Sequence, residues 1–375
     1  MKILIQNETT TTENRVALTP EGVTKLIAQF PDVSIAIQSG AGAAAHYPDL
    51  AYKTAGAEVL SNAASKKYKA NILLRVSPTT SAANLAPKGA LLGFLDPASH
   101  KTTLQKLVKN GHTVLPVEFI PRTSRAQSMD ALSSQTNIAG YRAVLEAATH
   151  YPKFFPLMMT AAGAAKPAHV IVLGVGVAGL QAIATARRLG AQVSAFDIRP
   201  DSKEQVLSLG AKFLEFDLGE ATEGEGGYAK ELSPEAQAKQ QELLQEAIAK
   251  ADVIITTAQV PGRPAPILIT EKAVQHMQAG SVIIDMAAGG YNQTNGIKGG
   301  NCPLTVADKI TTTKNGVTLV GHTNYAAMAP TDASRFYSAN LVHFLTLALK
   351  HTNGKTALNL NPEDDILAAT QLKAE

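Results

Sequence analysis

The run Val170-Ile-Val-Leu-Gly-Val-Gly-Val-Ala-Gly-Leu180 decides the fold. An apolar, β-branched stretch enters a G-x-G-x-x-G turn at Gly174, Gly176 and Gly179, and a helical pattern leaves it. Each glycine has a mechanical task in such a turn. Gly174 permits the sharp reversal, Gly176 lets the main chain approach a pyrophosphate, and Gly179 allows helix and strand to pack closely. The helix N-terminus then offers free N–H groups and a partial positive charge to the anion. The following strand ends at Asp197, where a carboxylate accepts both hydroxyls of an adenosine ribose and repels a 2′-phosphate. NAD(H) is therefore favoured over NADP(H). Val177, Ala178, Ile198 and Arg199 complete the expected contacts on this side, with Arg199 also placed to meet a phosphate. The competing reading is a glycine turn that serves packing alone.

The same alternation extends in both directions. Short apolar runs at 2–6, 33–38, 71–76, 90–95 and 113–117 read as strands buried on both faces, with helical segments at 21–30 and 104–110 between them. Further runs at 170–173, 192–197, 212–216, 252–257, 281–285 and 317–320 continue the pattern. Strand–helix alternation of this kind predicts an α/β protein of two doubly wound, Rossmann-like domains. The periodic segment 135–150 reads as a helix crossing between them, and 332–350 as a second helix returning to the first. The expected domains are 1–137 plus 328–375, and 138–327. A nucleotide cleft between them is expected, since doubly wound sheets bind ligands at their carboxyl edges. The tail after Asn353 reads as loosely ordered.

Composition bounds the function. A chain of 375 residues has room for two cores, and 45% hydrophobic with 17% charged residues is ordinary for a globular protein. The net charge of +3 is small and scattered, which argues against nucleic acid as a partner. The single cysteine, Cys302, excludes an internal disulfide and any CxxC metal pair, and reads as a small buried hydrophobe. No metal site is expected. The N-terminus lacks the pattern of a signal peptide, and no segment approaches the roughly 18 apolar residues of a membrane span.

One segment is too polar to be core. Residues 121–142, PRTSRAQSMDALSSQTNIAGYR, gather Arg122, Gln127, Asp130, Ser133, Ser134 and Gln135 with only Met129 and Leu132 to bury nearby. Such a cluster suits the grip on a polar ligand. It resembles the loop that holds the nicotinamide ring in the NAD(H)-binding domain I, within the alpha subunit, of proton-translocating NAD(P) transhydrogenases, and the likeness covers nearly the whole chain. The resemblance implies that Arg122, Gln127, Asp130 and Ser133 contact the nicotinamide and its ribose, that Gln127 faces the second nucleotide, and that Tyr141 lies near the nicotinamide half. A capping ion pair between Arg122 and Asp130 is the plainer reading, and both can hold.

Two loops extend the resemblance. Within the glycine-rich, polar run at 219–234, the stretch 226–231 is similar to the family's mobile loop, which brings Gly227 and Tyr228 to the nucleotide; a featureless solvated loop is the alternative. The run Thr256-Thr-Ala-Gln-Val-Pro-Gly-Arg-Pro-Ala-Pro266 matches the adenosine wall, with Ala258, Val260, Pro261 and Gly262 as its expected contacts. For Arg263 a tight turn that only stops the strand has equal standing. The chain departs from the family where Gly289-Gly-Tyr-Asn-Gln-Thr-Asn-Gly-Ile-Lys298 intervenes before Gly299-Gly-Asn-Cys302 and an acidic residue is absent.

The segment Asn14-Arg15-Val-Ala-Leu-Thr-Pro20 is shared with alanine dehydrogenases, in which the matching arginine binds the substrate carboxylate. Here a structural ion pair is the competing role. The dehydrogenase has a catalytic lysine near the strand that here ends Leu-Leu-Arg75-Val-Ser-Pro78, and a catalytic histidine where this chain reads Gly93-Phe-Leu-Asp-Pro97. Oxidative deamination needs a base, and none stands at those positions. The transhydrogenase resemblance implies a homodimer that presents NADH to NADP+ on a partner chain. Hydride transfer would be coupled to proton translocation by membrane-embedded subunits. The chain is then expected to be soluble alone and held peripherally, through those subunits, on the cytoplasmic side of the inner membrane. A free-standing alanine dehydrogenase-type oxidoreductase is the alternative.

Overall fold

The computed structural model describes residues 1–79, 81–199, 201–217, 233–259, 264–289 and 300–374. The chain divides into two compact units, Met1–Gln135 with Ala326–Glu375, and Thr136–Tyr325.

In the first unit β1 (Lys2–Ile5), β2 (Ser34–Gln38), β3 (Glu58–Leu60), β4 (Ala70–Arg75), β5 (Leu85–Gly93) and β6 (Thr113–Pro116) form a parallel sheet in the order β3-β2-β1-β4-β5-β6. Helices α1 (Pro20–Gln29), α2 (Asp49–Thr54), α3 (Asn62–Lys67) and α4 (Lys101–Lys109) lie between the strands in sequence. The pleat explains why these strands are apolar throughout. Ile3, Ile5, Ile35, Ile37, Ile72 and Leu74 face one core with Val23 and Leu26 of α1. Leu4, Ala36, Leu73 and Leu91 face another with Leu104 and Leu107 of α4. Thr19 starts α1 by accepting from the Gly22 N–H, with Pro20 at the first helical position.

The helix read from residue 135 begins earlier, as α5 (Ala131–His150), because Asp130 caps it. The second unit contains an exposed hairpin, β7 (Met158–Thr160) with β8 (Gly163–Ala165), that no sequence pattern signalled. Its remaining elements are β9 (His169–Leu173), α6 (Val177–Arg188), β10 (Gln192–Phe196), α7 (Ser202–Ser208), β11 (Lys212–Phe213), α8 (Pro234–Ala249), β12 (Val253–Thr256), α9 (Glu271–His276), β13 (Val282–Asp285), β14 (Ile310–Thr312) and β15 (Thr318–Val320). The sheet runs β11-β10-β9-β12-β13-β15-β14, parallel but for the β14–β15 pair. Ile171, Ile254, Ile283 and Leu319 pack there against Leu244 and Ile248 of α8. Ser233 caps α8 by accepting from the Ala236 N–H, with Pro234 at the first helical position.

The chain re-enters the first unit as α10 (Pro330–Ala348), followed by β16 (Leu349–Thr352), β17 (Lys355–Leu358) and α11 (Asp365–Thr370). The expectation of a loose tail is therefore wrong. Asn353 and Gly354 both take positive φ, 53° and 72°, and close a two-residue hairpin between β16 and β17. Ile366 and Leu367 of α11 then join the first core. The polar composition of the tail concealed an Asn-Gly turn that forms hairpins readily. Among the described residues no helix is long and apolar enough to cross a membrane.

Candidate functional site

In the second unit β9 lies between β10 and β12, so the chain switches direction across the sheet at the carboxyl end of β9. The glycine turn stands at that point. Gly174 has φ +95°, and a Cβ there would come 2.6 Å from Thr257 Oγ1. A Cβ on Gly179 would come 1.9 Å from the Gly174 carbonyl oxygen, so helix and turn touch main chain to main chain. Gly176 differs: a Cβ there would meet no atom within 4 Å. It occupies the position before α6, and no side chain caps the helix. Open space beside uncapped N–H groups fits a pyrophosphate. Val177 is exposed and Ala178 buried at the start of the helix. Thr257, which the motif does not include, donates to the Gly174 carbonyl at 2.9 Å and holds the turn.

Asp197 follows β10. Its Oδ2 accepts from the Val175 N–H at 2.7 Å, which ties the carboxylate to the glycine turn. Arg199 covers the rest: its Nε and main-chain N–H reach Oδ1 at 3.0 and 2.9 Å, and Nη2 reaches Oδ2 at 3.0 Å. Burial pushes the carboxyl upward, but the hydrogen bonds from Arg199 and Val175 outweigh it and hold Asp197 below the usual carboxylate range. A ribose diol reaches this carboxylate only by displacing the Arg199 fork. That fork is exposed, as is Ile198 beside it, and its Nη2 also donates to the Val175 carbonyl at 3.1 Å.

Tyr141 is exposed on α5, one residue after Gly140. A Cβ on Gly140 would lie 2.2 Å from the Ala178 carbonyl oxygen, and Asn137 Nδ2 donates to Gln181 Oε1 at 3.2 Å. This contact of α5 on α6 puts the helical turn carrying Tyr141 beside the glycine turn. Only the bare Ala-Gly-Tyr spelling could have signalled it. Ala258 is half-buried and its carbonyl accepts from Asn301 Nδ2 at 2.8 Å. Gly227, Tyr228, Val260, Pro261, Gly262 and Arg263 lie outside the described residues, as does nearly all of the 289–298 departure. Cys302 is buried, and burial pushes its thiol up to about 11, so it is no nucleophile near neutrality.

In the first unit a tight helical turn, Ser124–Met129, leads into α5. Asp130 Oδ1 accepts from the Ser133 N–H at 2.8 Å, and its Oδ2 from the Ser133 hydroxyl at 2.5 Å. Asp130 thus caps α5, but with Ser133 and not with Arg122. Arg122 and Gln127 are exposed, and neither side chain bonds another described residue. The four expected residues therefore stand within residues 122–133, two engaged in capping α5 and two exposed.

The chain matches the models for the alanine dehydrogenase/PNT N-terminal domain over residues 4–139 and C-terminal domain over residues 143–373. This chain belongs to the alanine dehydrogenase/PNT family. Within the family it is similar to the first of the separately named parts of NAD(P) transhydrogenase subunit alpha in Rhodospirillum rubrum, 44% identical across 99% of this chain and 95% of that protein. The structure of a transhydrogenase from Sinorhizobium meliloti matches with a TM-score of 0.84 and 41% identity, covering 99% of this chain and 98% of the other. An alanine dehydrogenase of Mycolicibacterium smegmatis is 30% identical over 76% of this chain and 72% of its own length.

The first sheet switches direction between β1 and β4, and charged side chains gather near that point. Arg15 is buried; its Nε and Nη2 grip Glu13 at 2.8 and 2.7 Å, and its Nη1 donates to Gln135 Oε1 at 2.8 Å. Arg75 Nε stands 3.1 Å from Glu8, which also accepts from the Val76 and Ser77 N–H groups. The Arg15 fork is thus already occupied by Glu13.

Burial pushes the Glu8 carboxyl from 4.5 up to about 7, against the opposing pull of Arg75 and the two N–H groups. A folded-state pKa above the unfolded one means that the fold gains from the proton. That gain is complete below pH 4.5 and lost as pH rises through 7. At most roughly 3 kcal/mol is involved at 1.36 kcal/mol per unit. Urea unfolding at pH 5 and pH 8 should therefore show the parent losing stability relative to Glu8→Gln as pH rises. Parallel pH profiles would remove Glu8 as the titrating group.

Proposed function

We propose that this chain is the NAD(H)-binding alpha subunit of a proton-translocating NAD(P) transhydrogenase. The pyrophosphate rests on the turn at Gly174, Gly176 and Gly179, and the adenosine ribose takes Asp197. Arg122, Gln127, Asp130 and Ser133 grip the nicotinamide end, and Tyr141 lies near it. Bound NADH supplies a hydride from C4 of its dihydronicotinamide directly to C4 of NADP+ on a partner chain. That exchange neither takes up nor releases a proton at the reacting carbons, so the chain needs no acid, base, nucleophile or metal. Its residues contribute alignment, which is worth roughly 7–11 kcal/mol for well-oriented reactants. One observation carries this reading: the Asp130–Ser133 cap fixes a turn from which Arg122 and Gln127 project with no side-chain partner among the described residues. The assembly is a homodimer on the cytoplasmic side of the inner membrane, joined to membrane-embedded subunits that couple the transfer to proton movement.

The deciding experiment mixes the purified chain with a cognate NADP(H)-binding domain and follows hydride transfer from NADH to an NADP+ analogue. Transfer supports the proposal; NADH binding without transfer makes the chain a nucleotide-binding module. Oxidation of NADH with pyruvate and ammonia alone, needing no partner, would instead establish the dehydrogenase. In the mixed assay Gln127→Asn should slow transfer by roughly tenfold or more, because a displacement near 1 Å costs up to about a hundredfold. NADH affinity should barely change, as the side chain aligns more than it binds. A large affinity loss with transfer intact would remove Gln127 from this role.

A further inference from the structure

The proposed grip on the nicotinamide depends on what holds the turn, and one tether comes from 212 positions further along the sequence. Asn340 lies in the interior of α10, on the face that sends Tyr337, Leu341 and Phe344 into the first core. A buried amide among such residues is costly unless its bonds are made, and asparagine is a weak helix former. Here both ends of the amide are satisfied by one short segment. Nδ2 donates to the Ser128 carbonyl at 2.8 Å, and Oδ1 accepts from the Ser134 hydroxyl at 2.7 Å. That hydroxyl also lies 3.1 Å from the Ala131 carbonyl, but it has one proton, and the shorter contact is to Asn340.

The two bonded positions bracket the capping pair. Asp130 and Ser133 lie inside the span from Ser128 to Ser134, and Gln127 projects from the residue just before it. Holding the Ser128 carbonyl fixes the backbone from which Gln127 extends. Holding Ser134 fixes the first turn of α5, which Gln135 also ties to α10 through the Ala333 carbonyl at 3.0 Å. A single amide thus clamps the segment at both ends.

We infer that Asn340 is a positioning residue for hydride transfer, a role that rests on the proposed function: it staples Ser128 to Ser134 and so sets the direction of Gln127. The test uses the full chain carrying Asn340→Ala, Ser134→Ala, or both. Hydrogen exchange of the 128–135 segment should quicken in Asn340→Ala while the strands exchange as in the parent. In the mixed assay, transfer should fall roughly tenfold or more with NADH affinity changed less than about threefold. Adding Ser134→Ala to Asn340→Ala should cost little further, since the two share one bond.

If Asn340→Ala does not fold, Ser134→Ala carries the same two readouts with smaller changes. Unchanged exchange overturns the staple, and unchanged transfer with quickened exchange overturns its positioning role. A parent that transfers no hydride sinks the proposed function instead, while the exchange result still reports on the staple.

Discussion

Asp285→Ala should lower the thermal midpoint of this protein by roughly 5 °C, the largest stability loss expected from a single side chain here. Asp285 ends β13 and is fully buried. Its Oδ1 accepts from the Thr256 hydroxyl at 3.2 Å and from the Ala287 and Asn301 N–H groups at 3.1 Å each. Its Oδ2 accepts from the Cys302 N–H at 3.0 Å. Alanine leaves three main-chain donors buried without an acceptor, and each such group costs about 1–3 kcal/mol. The sum is on the order of 3–5 kcal/mol, near the upper range for point substitutions. Damage should also spread locally. Asn301, released from Asp285, holds the Ala258 and Pro266 carbonyls at 2.8 Å each, on both sides of the segment proposed to wall the adenosine. Calorimetry without nucleotide checks the prediction. A loss under about 1 kcal/mol would mean that those donors find other acceptors.

Gly179→Ala and Gly176→Ala should separate folding from binding within one motif. The Gly179 methyl would stand 1.9 Å from the Gly174 carbonyl oxygen and 2.9 Å from its carbon. Both are main chain, so α6 must move off β9 or the turn must open. Overpacking of this kind costs about 1–3 kcal/mol. NADH affinity should fall as well, by more than about tenfold, because the N–H groups lose their common aim at the anion. The Gly176 methyl meets nothing within 4 Å, and the backbone there, φ −82° and ψ −165°, is open to alanine. That variant should unfold like the parent yet bind NADH poorly, since the methyl enters the space proposed for the pyrophosphate. Thermal unfolding paired with NADH titration reads both effects. Full NADH affinity in Gly176→Ala would move the nucleotide away from this turn.

Local spelling carried most of what could be read without the fold. The parallel sheets follow from apolar runs buried on both pleat faces. The glycine turn follows from spacing that main-chain sterics permit to few other residues. The polar turn at 121–135 stands out because little in its sequence suits a core. What the sequence does not show depends on partners distant along the chain. The tail looked loose because the partners of Ile366 and Leu367 in the core are spread over the whole first unit. Arg15 carried two open roles until Glu13 and Gln135 were seen to fill its fork.

By itself the sequence determined the α/β class, the dinucleotide turn and the segment proposed to hold the reactive ring. Each is a matter of periodicity or residue type over a few neighbouring positions. Only the tertiary structure decided how these pieces are held: Thr257 on the Gly174 carbonyl, Arg199 over Asp197, and Asn340 reaching across 212 positions to Ser128. The physical reason is that a hydrogen bond acts over about 3 Å of space and is indifferent to separation along the chain. Sequence shows which groups need partners, and the fold chooses them.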